Sequence, residues 1–170
     1  MSHGLILINT GPGKGKTTAA LGAALRAAGH GRQVVIMQFV KSRESGEHKA
    51  LSVLPNIKFR LLGRGLIMGK PSEADRLSAR QGWDDCLKLA ESGACDLLIL
   101  DEICVAMRYG LISPAEVVDF LKNKPPSLHL ILTGRDCPPE ILDLADTVTF
   151  MDAVKHHFAA GIGAQPGIED

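Results

Sequence analysis

The stretch Thr10-Gly11-Pro12-Gly13-Lys14-Gly15-Lys16-Thr17-Thr18 gathers glycines, lysines and hydroxyls in an order suited to holding a polyphosphate. Glycines let backbone N–H groups converge on anionic oxygens at a helix N-terminus, a lysine adds a point charge, and a threonine hydroxyl can reach Mg²⁺. Lys16 and Thr17 take the last two roles, with Gly11, Gly13, Lys14, Gly15 and Thr18 around them. In the usual G-x-x-x-x-G-K-[ST] spacing the first glycine would fall at Thr10, but it comes at Gly11, so the loop is one residue tighter or begins differently. Pro12 removes one amide donor from it.

A second acidic centre lies further along. Leu97-Leu98-Ile99-Leu100-Asp101-Glu102 is an apolar run ending in two carboxylates, which can hold Mg²⁺ directly or through water beside a phosphate loop. One of the pair could instead cap the helix that follows. Thr133-Gly134-Arg135-Asp136 ends another apolar run, and Arg135 reads either as a clamp for phosphate or carboxylate or as a surface arginine in a turn. Lys155-His156-His157 offers metal or phosphate ligands on one reading and a solvated terminal segment on the other. Trp83 lies at helical spacing with Ala79, Cys86, Leu87 and Ala90, which places it in a core more readily than on a stacking platform.

These groups need a scaffold, and the pattern supplies one. Apolar runs at Leu5 to Ile8, Gln33 to Val40, Ile57 to Leu62, Leu97 to Leu100, Leu128 to Thr133 and Thr147 to Phe150 mostly lack polar alternation, as strands buried on both faces do. Helical patterns intervene at Thr17 to Ala28, Ser72 to Glu91, Ser113 to Lys122 and Pro139 to Leu144. Ser113-Pro114-Ala115-Glu116 is a helix start with an N-cap serine, and Ser72-Glu73-Ala74-Asp75 is a looser version. The alternation predicts one α/β domain over residues 1–170 with a mostly parallel, doubly wound sheet and helices on both faces. The irregular stretches Lys41 to Lys49 and Gly63 to Pro71 follow strands, where loops of an open parallel sheet form the ligand crevice.

Composition narrows the class. The chain has 170 residues, 45% of them hydrophobic and 22% charged, with 19 basic and 19 acidic side chains. Neutrality removes any global attraction to nucleic acid or an anionic membrane, and no run approaches the roughly eighteen apolar residues of a membrane span. The expectation is a cytoplasmic protein whose cysteines, Cys86, Cys95, Cys104 and Cys137, are reduced, mostly buried thiols without zinc-site spacing.

Taken together, TGPGKGKTTAA at Thr10 to Ala20, VIMQFVK at Val35 to Lys41, Gly46-Glu47, LLILDE at Leu97 to Glu102, LTGRDCP at Leu132 to Pro138, ILDLADT at Ile141 to Thr147 and VKHHFAAGIGAQPGIE at Val154 to Glu169 resemble the ATP:corrinoid adenosyltransferases of the CobA/BtuR/CobO type. The tail discriminates best, because the phosphate loop is shared with many nucleotide-binding proteins. The resemblance implies a RecA-like P-loop fold, usually a homodimer. It implies a reaction in which Co(I) of a reduced cobalamin, cobinamide or cobyrinic acid a,c-diamide attacks C5′ of ATP and expels triphosphate, with Mg²⁺ or Mn²⁺ as the metal and a flavoprotein as reductase. In this family ATP lies reversed relative to ordinary P-loop enzymes, exposing C5′. Carried over by position, Gly11, Pro12, Gly13, Lys14, Gly15, Lys16, Thr17 and Thr18 would hold the triphosphate. Thr17, Asp101 and Glu102 would surround the metal, with Lys16, Thr17 and Glu102 the residues on which transfer depends. Gln38, Lys41, Glu47, Leu66, Met68, Arg135, Lys155 and His156 would line the nucleotide or corrin side. Leu66-Ile67-Met68 stands where enteric members carry aromatics against the corrin, which puts acceptor preference in question. Competing readings are an ordinary P-loop ATPase or phosphotransferase, which would release phosphate or ADP, and a corrinoid- or nucleotide-binding module without turnover. A RecA-like nucleic-acid motor fits worst, since the chain is small, neutral and lacks a basic aromatic stripe.

Overall fold

The structure, a computed structural model, describes residues 3–65, 67 and 69–169. Leu66 and Met68, named above as corrin-facing, lie outside the described residues. The strands are β1 Ile6–Thr10, β2 Val34–Gln38, β3 Ile57–Leu61, β4 Leu97–Asp101, β5 His129–Thr133 and β6 Thr147–Phe150. The helices are α1 Lys16–Gly29, α2 Gly46–Leu51, α3 Glu73–Glu91, α4 Ile103–Arg108, α5 Pro114–Asn123 and α6 Pro139–Leu142, followed by a short 3₁₀ turn at His157–Ala160. The strands form one six-stranded sheet in the order β3-β2-β4-β5-β1-β6. Every pairing is parallel, consistent with a RecA-like P-loop fold.

Period-two alternation along the central strands divides the core between the two faces. Leu98 and Leu100 of β4 pack with Trp83, Cys86, Val117 and Leu121 from α3 and α5. Their neighbours Leu97 and Ile99 point the other way and pack with Ala20, Leu21 and Ala24 of α1. The small alanines let α1 lie close to the sheet directly behind the loop that starts it. Trp83 is a core residue, buried and edge-on to Phe120 with ring centroids 5.6 Å apart. The four cysteines are free and buried. No helix among the described residues is long and apolar enough to cross a membrane.

The helix starts follow the sequence pattern. Ser72 Oγ accepts from the Asp75 amide while Asp75 accepts from the Ser72 amide at 2.8 Å, and Ser113 and Glu116 make the same reciprocal arrangement at α5. Two helices had no signature in the sequence reading. α2 begins within the irregular stretch Lys41 to Lys49 and runs past it to Leu51, and α4 begins directly after Asp101-Glu102, too short to show a period. Parallel register aligns the strand ends, pairing Gln38 with Asp101 and Asn9 with Thr133. That alignment collects at one edge the side chains that the sequence scatters over the chain.

Candidate functional site

The phosphate loop runs from the end of β1 into α1. Gly11 and Gly15 have φ of 103° and 104°, the left-handed region that side chains disfavour. A Cβ on Gly11 would also come within 2.5 Å of the Met151 carbonyl, and one on Gly13 within 2.5 Å of the Asp152 carbonyl. The segment after β6 therefore braces the loop from behind, and the Gly13 amide donates to the Met151 carbonyl at 2.7 Å. The first helical bond runs from the Ala19 amide to the Gly15 carbonyl at 2.8 Å, so the amides of Lys16, Thr17 and Thr18 have no acceptor within the helix. They form the positive end of α1, suited to phosphate oxygens.

Lys16 is 7% exposed and donates to the carbonyls of Gly11, at 2.9 Å, and Gly13. Burial lowers its pKa; Glu102 works against that and Arg135 adds to it. The ammonium lies inside the loop, among carbonyls that a phosphate oxygen could replace as partners. Lys14 points elsewhere, donating to the Ile168 carbonyl at 2.9 Å and to Glu169 Oε1 at 2.7 Å. Pro12 is exposed, between the two braced glycines.

Asp101, fully buried at the end of β4, is the hub. Its Oδ1 accepts from Thr17 Oγ1 at 2.8 Å and from Thr133 Oγ1 at 2.7 Å, and its Oδ2 accepts from Gln38 Nε2 at 2.9 Å. Thr133 Oγ1 also accepts the Glu102 amide at 2.9 Å. Glu102 has φ 59°, uncommon for a side-chain-bearing residue, and is the cap residue of α4, so strain and a sharp turn coincide at the second carboxylate. Its pKa is raised by burial and by Asp101, with Lys16, Arg135 and Lys41 opposing. Thr17, Asp101 and Glu102 thus form an all-oxygen donor set beside the loop, the type a hard divalent cation such as Mg²⁺ takes.

A cleft of about 740 Å³ is lined by Val40 to Gly46, Gly65 and, from the tail, Pro166, Gly167 and Glu169. Lys41 pairs with Glu47 at 3.1 Å on the same loop. Burial pushes the Glu47 carboxyl up, but hydrogen bonds from Ser45, its own amide and Lys41 outweigh that and bring its pKa to about 2. Arg135 is exposed just past β5 and acts on Lys16 and Glu102 through its charge. Lys155 is exposed, while His156 folds toward Glu169 with Nε2 at 3.7 Å. His156, His157 and Glu169 hold donor atoms within 4.8 Å of one another, a spacing a metal ion could bridge. Their present partners satisfy them otherwise: Glu169 takes Lys14 and His157, the latter at 2.6 Å, and His156 Nδ1 accepts the Phe158 amide at 3.2 Å. The cluster is a hydrogen-bonded fastening of the tail onto the phosphate loop.

Sequence reasoning missed two members of the site. Thr133 was seen only as the end of a strand, and His48 not at all. His48 is buried, its ring tilted at 45° against that of Phe59 with centroids 4.4 Å apart; a lone histidine in a polar stretch carries no spacing signal, and only α2 turns it inward.

A glycine-rich loop braced from behind, a lysine buried within it and paired carboxylates on the strand beyond its neighbour define a P-loop nucleotide-binding protein of the α/β class. The sequence profile of the ATP:corrinoid adenosyltransferase BtuR/CobO/CobP family matches residues 2–169, and the chain belongs to that family. It is 37% identical over 98% of its length to the corrinoid adenosyltransferase of Escherichia coli K12, covering 86% of that protein. It shows the same identity and coverages with corrinoid adenosyltransferase CobA of Salmonella typhimurium, and 38% identity with the corrinoid adenosyltransferase of a Sinorhizobium species, over 98% of this chain and 80% of the relative.

Proposed function

We propose that the protein transfers the 5′-deoxyadenosyl group of ATP to the Co(I) of a reduced corrinoid and releases triphosphate, in the synthesis or salvage of adenosylcobalamin. The observation that carries this reading is a cleft of about 740 Å³ whose tail residue Glu169 pairs with Lys14 of the glycine-rich loop at 2.7 Å. Such a volume suits a large ligand beside the nucleotide. Co(I) supplies the electron pair that forms the cobalt–carbon bond and becomes Co(III), while the C5′–O bond breaks and its pair leaves with triphosphate. The reduced cobalt is the nucleophile, so the protein's contribution is orientation and stabilisation of the leaving charge.

Lys16 and the amides of Lys16, Thr17 and Thr18 would neutralise the departing triphosphate. Thr17, Asp101 and Glu102 fit Mg²⁺, or Mn²⁺ in its place, because they are oxygen donors converging on the loop and because burial of two adjacent carboxylates calls for a cation. When bound, that ion would spread the negative charge of the triphosphate. Lys41 and Glu47 would hold the lip of the acceptor cleft, with Arg135 on the nucleotide side. The family resemblance further supports a cytoplasmic homodimer served by a flavoprotein reductase.

The test is an anaerobic assay with ATP, Mg²⁺ and chemically reduced cobalamin or cobinamide, following the Co(I) absorbance and identifying the phosphate product. A light-sensitive alkylcobalt product with triphosphate is the expected result. Orthophosphate or ADP with the Co(I) band untouched would replace this reading with an ordinary ATPase.

A further inference from the structure

Behind Asp101 runs a buried chain of hydrogen bonds. Gln38, 1% exposed at the end of β2, donates from Nε2 to Asp101 Oδ2 at 2.9 Å. Its amide oxygen meets His48 Nε2 at 2.6 Å. On the other side of the ring, Nδ1 lies 3.0 Å from the Ser45 amide nitrogen, whose hydrogen points at it, and 3.0 Å from Ser45 Oγ. Ser45 Oγ in turn accepts from Lys41 Nζ at 3.3 Å. A backbone N–H can only donate, so Nδ1 is the acceptor and, in the neutral ring, Nε2 carries the proton. Burial and the Lys41 charge both favour the neutral ring.

The consequence falls on an amide that has two ends of nearly equal shape. Nε2–H of His48 can pair only with the oxygen end of Gln38, which turns the NH₂ end toward Asp101. An ionised carboxylate can accept from that end and would be repelled by the other. Without the histidine, the Gln38 oxygen would lose its partner in a buried site, and the side chain would be free to swing away from Asp101. We infer that His48 is a positioning residue for the metal-binding carboxylate, acting through Gln38 to hold Asp101 with Oδ2 engaged and its plane fixed. The arrangement resembles the outer hydrogen bonds that orient ligating groups at metal sites. It also ties α2, at the lip of the acceptor cleft, to the phosphate loop through Asp101 and Thr17.

This inference rests on the proposal that Asp101 holds the metal, and the experiment separates the two. Mn²⁺ binding to the protein with ATP present is followed by the electron paramagnetic resonance of the free ion. His48→Phe, which keeps a ring against Phe59 but has no donor, is expected to weaken Mn²⁺ about tenfold while leaving metal-free ATP binding as in the wild type. His48→Gln, whose amide N–H reaches to a similar distance, is expected to recover most of the loss. In the wild type, long-range ¹H–¹⁵N NMR is expected to find His48 with its proton on Nε2. An Nδ1–H tautomer, or Mn²⁺ affinity unchanged in His48→Phe, overturns the inference while leaving the metal site standing. Mn²⁺ binding that Asp101→Asn does not affect overturns the metal reading and this inference with it. Should His48→Phe fail to fold by circular dichroism, the wild-type tautomer and the glutamine variant still decide the matter.

Discussion

The phosphate-loop end of the sheet and the C-terminal tail meet through Lys14, yet they are built in opposite ways. At the loop, Asp101 and Thr133 are fully buried, Thr10 and Lys16 nearly so, and the side chains of Lys16, Asp101 and Thr133 are each held by two or more partners. In the tail, Val154, Phe158 and Ile168 are 92%, 75% and 73% exposed, and the segment is tied down chiefly by Glu169 with its lysine and histidine partners. A buried hydrogen-bonded network is costly to break because each orphaned group keeps its desolvation penalty, whereas exposed ion pairs contribute little. The loop end is therefore preorganised before any ligand arrives. The tail is expected to depend for its order on what binds beneath it, since its exposed apolar side chains and its Gly161, Gly163 and Gly167 give it no core of its own.

Lys16→Ala strikes the rigid side and is expected to have the largest effect, a loss of transfer by roughly 10²- to 10³-fold, of the size seen when a charge-stabilising donor is removed. Near-normal turnover in the anaerobic assay would remove the loop from the mechanism. Ile99→Ala, under the α1 helix that the loop starts, is expected to destabilise the fold by about 2–5 kcal/mol in urea unfolding, through lost burial and a cavity. Glu169→Gln should do the reverse of Ile99→Ala: leave the midpoint of unfolding almost unchanged but speed amide exchange across residues 155–169. If exchange there stays slow, contacts other than Glu169 fasten the tail and the contrast between the two regions is weaker than drawn.

Smaller effects follow from the carboxylates. The Glu102 pKa is raised in the fold, so the unfolded chain releases that proton first. The stabilising contribution is full below the unfolded value and is lost as pH rises through the folded one. Glu102→Gln is therefore expected to melt higher than the wild type at neutral pH without nucleotide, while responding less to Mg²⁺; an equal or lower melting temperature would mean the charge is already compensated. Glu47 is the opposite case, with its pKa depressed to about 2, so its contribution is present above the ordinary glutamate range and lost as pH falls through about 2. Lys41→Met should move its NMR titration upward toward the ordinary value, the smallest change of the set, and a titration that stays put would assign the depression to Ser45 and the backbone alone.

Much of this could be read along the chain. Gly11 to Thr18 declare themselves because the chemistry demands residue types at fixed spacing on a contiguous strand, loop and helix, and the run Leu97 to Leu100 because a strand buried on both faces must be apolar. The capping serines at Ser72 and Ser113 marked α3 and α5 for the same local reason. His48 and Thr133 stayed silent: each is an ordinary residue type whose role depends on what a different strand brings alongside. α4 was hidden as well, being entered through a left-handed Glu102 that no local pattern requires.

The sequence by itself determined the class of fold, the glycine-rich loop, the pair of carboxylates and the family, since all of these are written in neighbouring residues or in their periodicity. Only the tertiary structure decided that Lys14 holds the tail while Lys16 stays within the loop, that Asp101 gathers Thr17, Thr133 and Gln38, and that His48 stands behind them. The parallel register of β2, β4, β5 and β1 brings those side chains together, and register is set by the packing of whole sheet faces, which no single segment records.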